Sequence, residues 1–363
     1  MMPSIRPLIV RFGAMGDMIL LTGLIQALHR RYGLPCDVLS SGSWTRPLLQ
    51  DNCDLGELFL VKSRNRPYLL APEQWRLTAW LKQRQRGPVY VCDFHSQGKV
   101  RWLLNRAGLD ASDCLYAHIP MFPEGMHWFD AWKIFSERSP ANYCHYPSQE
   151  DGYPIFPKLI VNAAAQADAQ AFLDDKHLTG PLVLLQPGNK RTFKRGRLGA
   201  MGDHKTWPSA HWIALCRFLM AELPDANLLL CGAPSEQPLL NEIALGSGSA
   251  GGRVHAFGEQ LPIPRLLALM TRAHSLISID SGPAHAAAAC HCPTVVLYGE
   301  NDPGNWLPRG PASTPVIALQ APPGRPRRVE EISVDRVVEA WCALGNRLPD
   351  STSRSGILAP STR

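Results

Sequence analysis

Leu8-Ile9-Val10-Arg11-Phe12-Gly13-Ala14-Met15-Gly16-Asp17-Met18-Ile19-Leu20 is the stretch on which the fold turns. An apolar run, Leu8–Phe12, enters a glycine turn and continues as a helical stretch, Met18–Arg31. Short apolar runs bounded by Gly, Pro or Asp mark buried parallel strands, and strand–helix alternation predicts α/β layers. The rhythm recurs. Cys36–Leu39, Leu58–Val61, Val89–Cys92, Leu182–Leu185, Asn227–Cys231, Ser275–Ile279 and Thr294–Leu297 read as strands. Ser209–Glu222, Pro264–Thr271, Pro283–Cys290 and Val334–Leu344 read as helices.

A chain of 363 residues exceeds what one core usually organises, so two domains are expected. The proline- and aromatic-rich segment Pro120–Pro157 interrupts the rhythm, with one helix, Met126–Arg138, inside it. A second series starts at Pro181. The division is therefore 1–165, 166–348 and a polar, disordered tail 349–363, with a junction helix over Asn162–His177 and a last helix that packs back on the N-terminal half. No stretch is long and apolar enough to cross a bilayer, and Pro7–Val10 is too short for a secretory signal. A cytoplasmic protein is expected. The ten cysteines contain no Cys-x-x-Cys pair, which argues for free thiols and against a zinc site.

Four segments carry chemistry. In the first, Gly16 lets the backbone come close to a ligand, and Asp17 falls in the first helical turn. There it either caps the helix or faces a cleft at the carboxyl edge of the sheet. In the second, Ser278-Ile279-Asp280-Ser281-Gly282-Pro283-Ala284-His285, a strand ends and a helix begins with Pro at a favoured first position. Free N–H groups around Ser281 and Gly282 and the helix dipole make an anion site suited to a diphosphate. His285 lies within reach of it or is a structural core histidine. Asp280 would repel phosphate and is expected to orient a hydroxyl or the loop. The third segment, Gln186-Pro187-Gly188-Asn189, leads through a basic loop to Lys205, whose cations suit a diphosphate leaving group. The fourth, Cys231-Gly232-Ala233-Pro234-Ser235-Glu236, offers a carboxylate for a ribose or a helix-terminal charge.

The net charge of +6 is uneven. Between Lys62 and Arg106 ten Lys or Arg face two acidic residues, Glu73 and Asp93. Such a field attracts a lipid surface, an anionic glycolipid or nucleic acid, or else is a solvated face. Arg64, Arg66, Arg84, Arg86, Lys99 and Arg101 are the candidate contacts.

Taken together the motifs resemble glycosyltransferase family 9, the bacterial heptosyltransferases, over nearly the whole chain. Asp280-Ser-Gly-Pro-x-His285-x-Ala-Ala-Ala is similar to the family's C-terminal signature, followed by Pro293-Thr-Val-Val-Leu-Tyr-Gly299 and Asp302-Pro-Gly304. Arg11-Phe-Gly-Ala-Met-Gly-Asp17 and Lys205-x-Trp-Pro-x-x-x-Trp212 fit as well. The resemblance implies a GT-B fold, two Rossmann-like domains facing a cleft, with the acceptor on the first and the nucleotide sugar on the second. It implies an inverting, metal-independent transfer of heptose from ADP-heptose to a lipopolysaccharide core sugar, with Asp17 as general base. It further implies donor contacts by Gly16, Gly188, Asn189, Lys205, Glu236, Asp280, Ser281, Gly282 and His285, with Leu261 near the adenine. The loop between Asn189 and Lys205 is longer than the family's, so another of its cations can take the place of Lys205. The implied partners are the donor, an anionic glycolipid and the inner leaflet, without nucleic acid. Rival readings are a GT-B transferase using another nucleotide sugar and a non-catalytic anion- or nucleic-acid-binding protein.

Overall fold

The computed structural model describes residues 3–62, 67–147, 155–189, 204–248, 252–311 and 313–345. The tail 349–363 lies outside them, as do Arg64, Arg66 and the cations Lys190, Arg191, Lys194, Arg195 and Arg197.

The first half runs β1 (Leu8–Val10), α1 (Met15–Tyr32), β2 (Cys36–Ser40), α2 (Thr45–Leu49), β3 (Leu55–Leu60), α3 (Pro72–Gln83), β4 (Val89–Val91), α4 (Gln97–Arg106), β5 (Cys114–Tyr116) and α5 (Trp128–Glu137). Helix α6 (Ala163–Asp175) follows, capped by the Asn162 side chain on the Ala165 N–H. The second half runs β6 (Leu182–Gln186), α7 (Ser209–Glu222), β7 (Asn227–Cys231), α8 (Gln237–Gly246), β8 (Val254–Phe257), α9 (Ile263–Met270), β9 (Ser275–Ile279), α10 (Gly282–Ala289), β10 (Thr294–Tyr298), α11 (Pro303–Trp306), β11 (Val316–Gln320) and α12 (Val334–Gly345).

The strands form two parallel sheets, ordered β3-β2-β1-β4-β5 and β11-β10-β9-β6-β7-β8. Central strands such as β1, β6, β7, β9 and β10 are buried along their whole length, because helices cover both faces. In each sheet the order reverses beside the first strand, between β1 and β4 and between β6 and β9. The crevice outside the strand ends at such a reversal is where open α/β sheets hold ligands. This is the α/β architecture of two Rossmann-like units.

One hydrophobic cluster runs through both halves, joining Met18, Leu21 and Trp132 to Ala284, Ala286 and Ala287. A polar clasp reinforces that contact. Arg309 grips Asp130 with two hydrogen bonds of 2.8 Å. His127 Nε2 donates to the Leu307 carbonyl at 2.8 Å, and Asn305 Nδ2 donates to the Met126 carbonyl at 3.0 Å. Helix α12 does not return to the N-terminal half. Val337, Trp341 and Leu344 are buried in the cluster of the second sheet, and Trp341 Nε1 donates to Ser275 Oγ at 2.9 Å. Its apolar stripe packs on α7, β10 and β11 of the second half instead.

Candidate active site

Because every strand is parallel, the loops after β6, β7, β8, β9 and β10 leave the second sheet along one edge. They carry Gly188, Glu236, Leu261, Asp280 and Asn301. In spatial order the edge reads Asn301, Asp280, Gly188, Glu236, Leu261. Strands lie about 4.8 Å apart, so three gaps from β9 to β8 span roughly 14 Å, the reach of an extended nucleoside diphosphate.

Opposite this edge stands the N-terminus of α1. Gly16 packs on the ring of His285, so that a Cβ at position 16 would lie 2.7 Å from His285 Cδ2. A Cβ at Gly282 would lie 2.6 Å from Met15 Cβ. The first turns of α1 and α10 therefore touch, and only glycines permit the approach. Asp17 is brought to the same crevice. Its two sequence readings turn out to be compatible. Oδ2 accepts from the Ala14 N–H at 2.6 Å, which caps α1, while Oδ1 accepts from Arg11 Nη2 at 2.7 Å. Arg11 also donates to the Cys92 carbonyl at 2.6 Å and lies 5.6 Å from the ring centres of Phe94 and Trp132. The guanidinium is thus fixed by stacking and fixes the carboxylate in turn.

At the head of α10, Ser281 is the residue before the helix and makes no side-chain cap. Its hydroxyl pairs with Ser278 Oγ at 2.9 Å. Among the described residues the first-turn N–H groups are thus left without a side-chain cap, the condition for an anion site. Asp280 does not face that anion site alone. Its Oδ2 accepts from Lys205 Nζ and from Asn301 Nδ2, each at 2.6 Å, and so gathers a cation and an amide at the head of α10. Burial pushes the His285 imidazole down from its usual value, against the pull of Asp280 and Asp17, and favours the neutral ring. A neutral ring donates or accepts without adding charge.

Glu236 is 5% exposed. Oε2 accepts from the Ala233 N–H at 2.7 Å, while Oε1 is buried without a hydrogen bond and points at Gly188. A Cβ at Gly188 would lie 2.1 Å from that oxygen, so the residue must be glycine. Burial raises the Glu236 pKa above its usual value, only partly countered by the Ala233 N–H. A raised carboxylate pKa means that folding favours the protonated form. Stability is therefore greatest below the ordinary pKa and declines as pH rises through the raised one. Glu236→Gln is expected to raise the melting temperature at neutral pH and to flatten that decline. If the free oxygen holds a ribose hydroxyl, the same change weakens nucleotide binding about 10- to 100-fold. Calorimetric titration beside thermal melts checks both; a lower melting temperature or unchanged affinity refutes the assignment. Asn189 follows Gly188 at the same turn, and half-buried Leu261 closes the far end of the edge.

The basic face is only partly as the sequence suggests. Arg84 is not on it. Its side chain is 3% exposed and its Nε donates to Asp37 Oδ2 at 3.0 Å, with Asp37 itself buried in β2. An aspartate inside a strand needs an internal cation, and Arg84 supplies it. Arg86 is exposed and donates to the Gly108 carbonyl at 3.2 Å. Lys99 and Arg101 are exposed on α4. Arg11 and Asn301 are site residues that sequence reasoning missed. Both stand in motifs quoted for the resemblance or beside them, Arg11 at the end of a buried strand and Asn301 next to Asp302-Pro-Gly304.

Among the described residues no three His, Cys, Asp or Glu side chains are grouped so as to hold a metal ion. The cysteines are free, seven buried and Cys53, Cys144 and Cys342 exposed. No helix among the described residues is long and apolar enough to cross a membrane.

The sequence model of glycosyltransferase family 9 (heptosyltransferase) matches residues 146–332. Lipopolysaccharide heptosyltransferase 3 of Escherichia coli is 28% identical over 311 residues, covering 81% of this chain and 83% of the relative. Among solved structures, the glycosyl transferase family 9 protein of Veillonella parvula superposes with a TM-score of 0.74 at 16% identity, covering 95% of this chain and 98% of that one. The ADP-heptose LPS heptosyltransferase II of E. coli gives 0.70 at 19% identity, covering 94% and 98%. At these identities the structural matches speak to the fold, which is GT-B.

Proposed function

This chain belongs to glycosyltransferase family 9, the heptosyltransferases, and we propose that it moves a heptose from ADP-heptose to a sugar of the lipopolysaccharide core with inversion and without a metal. The observation that carries this reading is the contact of Gly16 with His285, which brings the first turn of α1, Asp17 included, against the head of α10, close enough for the Asp17 charge to act on the His285 ring. In the proposed reaction Asp17 takes the proton of an acceptor hydroxyl. The oxygen attacks the anomeric carbon from the face opposite the diphosphate, and ADP departs with the bonding electrons. Arg11 and the Ala14 N–H occupy one lone pair on each Asp17 oxygen, and a carboxylate oxygen offers a second. The growing charge on ADP meets the α10 terminus and Lys205, so a divalent ion is not required. Glu236 would take the ribose, and Leu261 would flank the adenine. Relatives are named for lipopolysaccharide and for ADP-heptose, which supports this donor and this acceptor class.

The test is direct. Of ADP-, GDP- and UDP-sugars, only the ADP form is expected to raise the melting temperature strongly. With ADP-heptose and a truncated core, the product should carry the inverted anomeric configuration, and EDTA should leave the rate unchanged. Strong stabilisation by UDP or GDP alone would reassign the donor. A strict need for magnesium or manganese would refute the metal-free step.

A further inference from the structure

Large apolar side chains exposed among the described residues are Leu69, Leu70, Trp75, Trp102, Ile119 and Leu245, and four of these six belong to one patch. Leu69 and Leu70 are 80% and 71% exposed in a 3-10 turn, Tyr68–Leu70, that leads straight into α3. Trp75 stands in the first turns of α3, and its Nε1 donates to the Tyr68 carbonyl at 2.8 Å. Trp102 on α4 meets the Tyr68 ring edge-on at 5.2 Å. Arg106 lies over both rings, 4.4 Å from that of Tyr68 and 5.4 Å from that of Trp102. The turn is thus held outward by its neighbours, with two leucines that no other described residue covers.

The surroundings are basic. Arg76 follows Trp75 on the exposed side of α3, while Lys99 and Arg106 share the Trp102 face of α4 by helical spacing. Glu73, the nearby carboxylate, is occupied by the Lys62 N–H at 2.8 Å. Aliphatic tips, amphipathic aromatic rings and flanking cations are the set that seats at the boundary between lipid headgroups and acyl chains. A protein partner would not need so dense a positive field, whereas an anionic lipid surface is its complement.

Position adds to composition. Strands β1, β3 and β4 run parallel, and Asp17, the 3-10 turn and α4 are the segments that follow them in the same half of the molecule. We propose that Leu69 and Leu70, framed by Trp75 and Trp102 and ringed by Arg76, Lys99 and Arg106, form a wedge that docks the enzyme on an anionic membrane. The inference rests on the glycolipid-acceptor reading only for its purpose; the docking itself stands on the surface chemistry. Arg84, buried against Asp37, takes no part.

The experiment uses the full chain and sedimentation with phosphatidylcholine vesicles, with or without phosphatidylglycerol. The wild type should bind the anionic vesicles and release with salt. Leu69→Ser/Leu70→Ser should lower the partition coefficient about tenfold or more, and Arg76→Glu by about fivefold or more. Transfer from ADP-heptose to a delipidated, water-soluble core should be unchanged in the leucine variant. Unchanged vesicle binding by the leucine variant overturns the wedge while leaving the transferase reading intact. A dimer in gel filtration that the leucine variant dissolves also overturns it, since a second copy then covers the patch. Lost vesicle binding in a protein that turns over no acceptor at all supports the wedge and rejects the transferase reading.

Discussion

Asp17→Asn should lower kcat by about 10²- to 10⁴-fold, the range for a positioned general base. The substitution separates two jobs that the structure assigns to one carboxylate or allows it. As a cap, Asp17 accepts from the Ala14 N–H, and as an ion-pair partner it accepts from Arg11. An asparagine oxygen can keep one of these bonds but not both, so stability should fall by about 1 kcal/mol, as for loss of a helix cap. A loss of capping alone would shift the melting temperature with little effect on turnover at saturating substrate. Loss of the base would instead collapse kcat while nucleotide-induced stabilisation persists, because the donor is held by the other half. Near-wild-type kcat in a folded Asp17→Asn protein would mean that the proton leaves by another route. The carboxylate would then be structural.

Much of the fold was legible because burial leaves a mark on composition. Ser209–Glu222 emerges with the bounds its apolar spacing suggests, since Trp212, Leu215, Cys216 and Leu219 all face the core. The strands that escaped notice, β5, β8 and β11, are all at sheet edges. β5 is only three residues long and β8 holds the half-buried His255, which blurs their signal, whereas Val316–Leu319 in β11 is a continuous apolar run that reads as a strand and was passed over. Helices α3 and α4 were hidden by their own charge. A stretch rich in Lys and Arg reads as a solvated face, and only Leu77, Leu81, Val100, Leu103 and Leu104 tie it to the core.

The site shows a similar division. Asp17, Glu236, Asp280 and His285 stand out because each follows a strand and a glycine or a helix start, a placement written in the local chain. Their mutual geometry is not local. That Gly16 sits on His285 follows from two sheets sharing one alanine-lined interface, and no spacing along the chain encodes it. Arg84 failed for the converse reason. Lysine and arginine are counted as surface residues by default, and the signal against this was Asp37, a carboxylate in a strand whose neighbours are apolar. Arg11 could have been found by the same rule, as a cation at the end of a buried strand with an aspartate six residues on.

Lys205→Met is expected to reduce kcat by about 10²- to 10³-fold, the usual cost of removing one preorganised donor from a charge that develops in the transition state. The cation sits where the reading needs it, held at 2.6 Å by Asp280, whose other contact is Asn301. That arrangement makes a sharper claim than the single loss. If Asp280 acts by aiming Lys205, then Asp280→Asn costs less than Lys205→Met, and in the double variant Asp280→Asn adds nothing further. Residues that work as a unit are non-additive in this way, while independent contacts multiply. Nucleotide affinity should move with Lys205 in both single variants, because the pair stands at the head of α10 rather than at the acceptor. Fully multiplicative losses would show that Asp280 meets the substrate on its own account. An unaffected Lys205→Met enzyme would hand the leaving-group role to another cation between positions 190 and 203.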